Sequence, residues 1–441
     1  MPPLPFRRLL LSSLLLALAM PLVAAEPAPD PEVAWLRTGA VALRSIAPDD
    51  GDFSDLEPLR AVLAGKRVVI LGEATHRDGN TLLAKTRLIR FLHQELGFDV
   101  LAFESGFYDC AKAWERIEAG DDPAQAFRDS VFAIWTRSAQ LKPLIDYFAA
   151  AARSPRPLQL AGFDSQFTGV MSGRHLAGDL RRVAVAAGMA GEDFDARVSG
   201  PLANLVLGKY EEGEVPPEAA RAGFAAALED LTRRLRAGGG DVPERDFWLR
   251  FVETTRQHGA NSWATDWSKP LLEDAEGFAV RDRLMGEQLA WLARHRFAGR
   301  KIVAWAASFH GALEVTPIEV PSSPVHERLF RTFQPAGLAA RKELGEELYT
   351  VAVLAYQGKY GPAQKPIELL QPTAGSLEDL FHRTGLPYAF LDLSRPDRLP
   401  RWLRDPTIAR PMGYKEMRAP WGRVFDGVLF LDRMEAAAKA E

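Results

Sequence analysis

Four apolar, strand-like runs in this chain each lead into an ionisable side chain. Val68-Val69-Ile70-Leu71 runs into Gly72-Glu73-Ala74-Thr75-His76, and Val100-Leu101-Ala102-Phe103 into Glu104. Leu158 to Phe163 runs into Asp164, and Ile302-Val303-Ala304-Trp305 leads through Ala306-Ala307-Ser308-Phe309 to His310. Short runs of this kind, alternating with helical patterns, predict an α/β fold: a mostly parallel central sheet flanked by helices. The carboxyl ends of parallel strands share one edge, where connecting loops converge and ligands bind. Glu73, His76, Glu104, Asp164 and His310 are therefore expected to meet there, in a set suited to hydrolysis.

From Ser172 to Phe297 the strand signal vanishes. This span is rich in Ala, Arg, Glu and Leu and is broken at Pro216-Pro217 and at Gly238-Gly239-Gly240. It reads as a large helical insertion, residues 172–297, between the third and fourth runs and covering the site. Its Trp263, Trp267 and Trp291 are candidates for apolar walls of that site. Strand-like runs resume at Tyr349–Tyr356, Tyr388–Leu393 and Gly427–Leu431. The α/β core is thus expected in two parts, residues 36–171 and 298–441.

The first 25 residues read as an export signal. Arg7-Arg8 precedes the mostly apolar Leu9–Leu22, and Val23-Ala24-Ala25 offers small residues for cleavage. The Pro-rich segment that follows, over residues 26–35, reads as a flexible lead-in. A periplasmic or secreted protein is expected, with no stable membrane span once the signal is removed. Cys110 is the single cysteine, so no internal disulfide forms, and its helix-like setting (Tyr108 to Ile117) suggests a buried, inert thiol. The formal charge is −4, and no Lys/Arg block with interleaved aromatics stands out. Nucleic acid is not an expected partner; a small-molecule substrate is.

One helix carries more than its share of information. After Asp78-Gly79, a cap pattern, the chain reads as helical to Leu96 before Gly97, with Leu82, Leu88, Ile89, Leu92 and Leu96 on one stripe. Lys85 lies at the centre of that stripe. A lysine there either snorkels to water or points into the site and meets Glu73 or Glu104.

His76 is the candidate general base, because an imidazole takes a proton from water near neutral pH and a carboxylate can orient it. Glu73 and Glu104 are its candidate partners. His310 stands above the remaining histidines through its place after a strand. No zinc signature, nucleophile elbow, P-loop or dinucleotide fingerprint occurs, so neither a metal nor a cofactor is expected. Two alternatives stay open: a metal-dependent hydrolase using the same residues, and a non-catalytic protein that binds its ligand in the same cleft.

Several segments together resemble the erythromycin esterase-like family. They are Leu71-Gly72-Glu73-Ala74-Thr75-His76, the Leu-x-x-x-Leu-Gly-Phe helix end at Leu92–Phe98, Phe103-Glu104, Trp135-Thr136, Gly162-Phe163-Asp164, Arg281-Asp282-x-x-Met285 and Trp305 to His310. The resemblance implies an α/β protein with a helical insertion that hydrolyses an ester or lactone without a required metal. It implies His76 as the base that activates water, Glu73 and Glu104 as partners, Lys85 at a customary basic position and His310 as the distal histidine, with Asp164 and Arg281 supporting the site or binding substrate. The chain departs from the family pattern at Arg77, Asn80 and Ala307. The last stands where macrolide-cleaving members carry a further histidine, so the substrate-facing wall is altered.

Overall fold

The computed structural model describes residues 30–238, 240–269 and 275–440. The export signal expected over residues 1–25 lies outside the described residues, as does Gly239 of the glycine run. The flexible lead-in expected over 26–35 is helical from Pro31: a helix spans Pro31–Gly39, capped where Asp30 accepts from the Glu32 N–H. Proline in the first turn and the burial of Val33 and Leu36 explain the difference, since both favour an ordered start over a loose one.

The main sheet has nine strands. They are β1 (Val41–Ala42), β2 (Val68–Leu71), β3 (Phe98–Gly106), β4 (Gln159–Asp164), β5 (Lys301–Trp305), β6 (Leu348–Tyr360), β7 (Ile367–Glu368), β8 (Tyr388–Asp392) and β11 (Gly427–Met434). Two further short strands, β9 (Thr407–Ala409) and β10 (Met417–Ala419), form a separate two-stranded antiparallel sheet. Along the sheet the order is β1-β8-β11-β6-β2-β5-β3-β4, with β7 added to β6. The block from β11 to β4 is parallel throughout, and the antiparallel pairings are confined to β1, β8 and β7. The four runs read from the sequence are therefore β2, β3, β4 and β5, lying side by side.

Their order explains how distant residues come together. β5 inserts between β2 and β3, so the chain returns after the long insertion to the middle of the sheet it left at the edge. Leu71, Trp305, Phe103 and Gly162 stand in one register row across the four strands. The residues just beyond that row all emerge at one edge.

Alternation along the strands divides the core. Val69, Leu71, Leu101, Phe103, Val303 and Trp305 pack with Leu82, Leu88, Ile89 and Leu92 of the helix Gly79–Leu96. Val68, Ile70, Val100, Ala102, Ile302 and Ala304 face the opposite way, in a core shared with Leu180, Leu228, Phe251 and Met285 of the insertion. Between Asp164 and Lys301 the described residues form helices and no strand. The insertion is thus a second helical layer on one sheet face, as buried parallel strands require. Trp263 packs on Phe224, Trp267 on Tyr210 and Trp291 on Phe107. These three tryptophans serve this layer's packing, and the tryptophans of the site come from elsewhere.

Candidate active site

Beyond β2 the chain needs a glycine. A Cβ at Gly72 would lie 2.6 Å from both Ser308 Oγ and the Val351 carbonyl oxygen, so only glycine lets the loops after β2 and β5 touch. The Ser308 N–H donates to the Glu73 carbonyl oxygen at 2.8 Å and ties the two loops together.

Glu73 is fully buried, and each carboxylate oxygen is engaged. Oε1 accepts from Trp135 Nε1 at 2.7 Å and lies 2.8 Å from His76 Nδ1; Oε2 accepts from Lys85 Nζ at 2.9 Å. Lys85 is therefore not snorkelling. Its side chain is 0% exposed, its ammonium also reaches the Ala306 carbonyl oxygen at 3.4 Å, and it sits 3.7 Å from the centre of the Trp305 ring. Burial pulls the Lys85 ammonium down to about 8, against the pull of Glu73 in the other direction. The same ion pair, aided by His76, holds Glu73 below the ordinary carboxylate value despite its burial.

His76 stands edge-on to Trp135, with ring centres 5.2 Å apart, and its side chain remains 31% exposed. With Nδ1 against a carboxylate, the neutral ring carries its proton on Nδ1 and leaves Nε2 free to accept one. Burial lowers the imidazole, but the Glu73 hydrogen bond and the charges of Glu104 and Glu73 outweigh it, so its pKa is raised.

A second imidazole lies in the same edge with a different fit. His310 Nδ1 is 2.8 Å from Asp282 Oδ1, and Nε2 is 3.2 Å from Glu104 Oε1. Both ring nitrogens are thus occupied by acids, and the side chain is 7% exposed. Burial alone would lower its pKa; Asp282 and Glu104 together raise it to about 10. Glu104, a candidate partner of His76, acts on that ring through its charge, while its Oε1 engages His310 and, at 3.4 Å, Arg281, and its Oε2 accepts from the Ala307 N–H at 2.9 Å. Although buried, its carboxyl is held well below the usual range, first by His310 and then by His76 and Arg281. Arg281 in turn clamps Asp164 with two hydrogen bonds, 2.5 Å and 3.2 Å.

The seven residues expected from the sequence are therefore gathered into two linked clusters: Glu73, His76 and Lys85, and Glu104, His310, Arg281 and Asp164. Arg281 and Asp282 come from the helix Ala275–Trp291 of the insertion, which thus completes the site as well as covering a sheet face. Trp135, Trp305 and Asp282 were not singled out as site residues. All three lie in segments that carry the family resemblance, which is their one sequence signal; Asp282 follows Arg281, and only pairing with His310 reveals its part. Of the departures, Arg77 is exposed and Asn80 Nδ2 donates to the Arg433 carbonyl oxygen at 2.9 Å. Ala307 contributes only its backbone N–H. Among the described residues no set of three or more His, Cys, Asp or Glu side chains is arranged to hold a metal ion.

The model of the erythromycin esterase family matches residues 93–434. The chain belongs to the erythromycin esterase family. The match begins after Glu73 and His76, so their pairing rests on the geometry above. Among curated proteins the chain is 27% identical to "Putative hydrolase YbfO" of Bacillus subtilis (strain 168), over 86% of either chain. It is 21% identical to erythromycin esterase type II of Escherichia coli, over 90% of this chain and 97% of that one. Among solved structures the fold matches a succinoglycan biosynthesis protein at a TM-score of 0.71 and 17% identity, over 92% of this chain and 97% of that one. It also matches an erythromycin esterase mutant, EreC, in its open conformation, at a TM-score of 0.65 and 15% identity, over 89% and 97%. Membership points to a hydrolase acting on small molecules, and no helix among the described residues is long and apolar enough to cross a membrane.

Proposed function

We propose that the chain hydrolyses an ester or lactone with water activated by His76 and with no metal required. The observation that carries this reading is the asymmetry of the His76 ring: one nitrogen is fixed on a buried carboxylate, while the side chain as a whole keeps 31% exposure. In the neutral state Nε2 accepts a proton from water as the oxygen attacks the substrate carbonyl carbon. The imidazolium so formed is stabilised by Glu73, which Lys85 keeps ionised. Collapse of the tetrahedral intermediate breaks the carbonyl–alkoxy bond, and the imidazolium returns its proton to the departing alkoxide. Arg281, paired with Glu104 and Asp164 and with a side chain 19% exposed, is the cation suited to the developing oxyanion or the product carboxylate.

The test is a panel of simple esters and lactones of differing ring size, assayed with the purified protein before and after exhaustive treatment with chelator. Turnover unchanged by chelator, and absent in His76→Ala, is the expected result. Turnover lost with chelator and restored by a divalent ion would replace this reading with a metal-dependent one. Binding without turnover across the panel would leave a ligand-binding protein. Export is part of the same proposal, supported by the basic, apolar and small-residue pattern of residues 1–25; Edman sequencing of protein recovered from outside the cytoplasm should begin near Glu26.

A further inference from the structure

Asp78 occupies the residue before the helix Gly79–Leu96, where an aspartate ordinarily accepts hydrogen bonds from its own helix. It makes no such bond. Its fully buried carboxylate turns back onto the loop of the base instead, accepting from the Thr75 N–H at 2.9 Å and the Thr75 hydroxyl at 2.6 Å. A third donor arrives from the far end of the chain: the Tyr414 hydroxyl, at 2.9 Å from Asp78 Oδ2.

The Tyr414 segment is unusual in its own right. Tyr414 adopts φ +54°, one of two non-glycine residues in the left-handed region among the described residues, and Gly413 before it has φ +63°. Strain of this kind persists where surrounding contacts impose it, and it concentrates at functional sites. The adjacent Gly413 N–H donates to the Ala74 carbonyl oxygen at 2.9 Å. Residues 74 and 75, which lie between Glu73 and His76, are thus gripped from one side by the 413–414 turn and from below by Asp78. The ionisable groups facing Asp78 are Glu73 and Lys85 toward the site and Tyr414 on the other side, with Tyr360 and Arg410 behind Tyr414. Among the described residues no cation contacts the Asp78 carboxylate; three neutral donors hold it. Its burial, against those hydrogen bonds, raises its pKa to about 7.

We propose that Thr75, Asp78 and Tyr414 form a positioning clamp that holds the His76 imidazole on Glu73. The inference rests on the reading of His76 as the base, and deepens it by naming what sets that base. The clamp acts through the backbone of residues 74 and 75, so its loss lets the His76–Glu73 hydrogen bond lengthen. Glu73 then supports the imidazolium less, and the His76 pKa falls toward the ordinary value of about 6.5.

The experiment compares wild type with Thr75→Val, which deletes one hydroxyl at nearly constant shape, Thr75→Ser, which keeps it, and Tyr414→Phe, which keeps the ring. The His76 pKa is read from ¹⁵N NMR of histidine-labelled protein without substrate, its resonance assigned with His76→Ala; kcat and KM are read on the best ester of the panel. The clamp predicts a lowered His76 pKa in Thr75→Val and Tyr414→Phe. It also predicts kcat lowered between about 10-fold and about 100-fold in Thr75→Val with KM little changed, the scale of a misplaced catalytic group, and recovery of both readings in Thr75→Ser. An unchanged His76 pKa in both the valine and the phenylalanine variants overturns the proposal, even if their melting temperatures fall. If Thr75→Val does not fold, Tyr414→Phe decides by the same pKa reading. If no ester is turned over, the hydrolase reading fails alone, because the titration still tests the clamp.

Discussion

The two imidazoles of this site differ in how many acids hold them. His76 has one carboxylate, on Nδ1, and an exposed flank; His310 has a carboxylate on each nitrogen and almost no exposure. A ring with a free nitrogen can move a proton. One with both nitrogens bound to acids stays protonated and acts as a fixed cation, here linking Glu104 to Asp282. The chemistry of a histidine is set by the number and placement of its neighbours, and the same edge of one sheet builds both kinds.

Breaking the comparison at His76 should give the largest effect. His76→Ala is expected to lower turnover by about 10²–10⁴-fold, the usual range for a general base, with far-ultraviolet circular dichroism unchanged. Activity within about threefold of wild type would remove His76 from the role. Next comes Lys85→Met. The lysine and Glu73 form a buried pair, so its removal strands a carboxylate and should cost about 3–5 kcal/mol, read by denaturant unfolding, together with a fall in rate. An unchanged midpoint and unchanged rate would mean that the ion pair contributes nothing.

A smaller and more selective effect belongs to His310. Its folded pKa, about 10, is raised above the ordinary imidazole value, so its stabilisation is complete below about pH 6.5 and is lost as pH climbs through about 10. Lys85 is shifted the opposite way, down to about 8, and contributes an opposing slope above that pH. The comparison with His310→Gln isolates the imidazole: the stability difference between wild type and variant should shrink steadily from pH 7 to pH 10. A difference independent of pH would contradict the fixed-cation assignment. Least dramatic is the pH–rate profile of wild type. Its ascending limb should lie above the ordinary imidazole value, since His76 must lose its proton, and its descending limb near 8, where Lys85 loses its own.

Much of this arrangement is legible in the sequence, for a reason particular to parallel sheets. Strand direction fixes which end of each apolar run is shared, so Glu73, Glu104, Asp164 and His310 could be assigned to one edge without knowing the strand order. Helical periodicity singles out Lys85 in the same way, by placing a charge on an apolar stripe, but whether it snorkels or finds a partner is decided only by its burial against Glu73. What pattern cannot give is pairing. Glu73 and Glu104 are both candidate partners of His76 in the sequence, and the insertion of β5 between β2 and β3 is what gives Glu104 to His310. Trp135 reaches Glu73 from a four-residue helix (Ala133–Thr136), too short to carry a periodicity. Asp78 looked like a helix cap and occupies the cap position, but its side chain serves the loop before it. The contact with Tyr414 spans more than three hundred residues and has no local signature.

The two buried indoles give this centre a use beyond chemistry. Trp135 donates to the carboxylate that holds His76, and the Trp305 ring lies beneath the Lys85 ammonium. Proton movement at either ionisable group alters the electric field across a fluorophore in direct contact with it. The emission of these two tryptophans, separated from the other eight by Trp135→Phe and Trp305→Phe, therefore offers a label-free optical readout of which ionisable group has titrated, in a protein whose substrate need not be known for the measurement to be made.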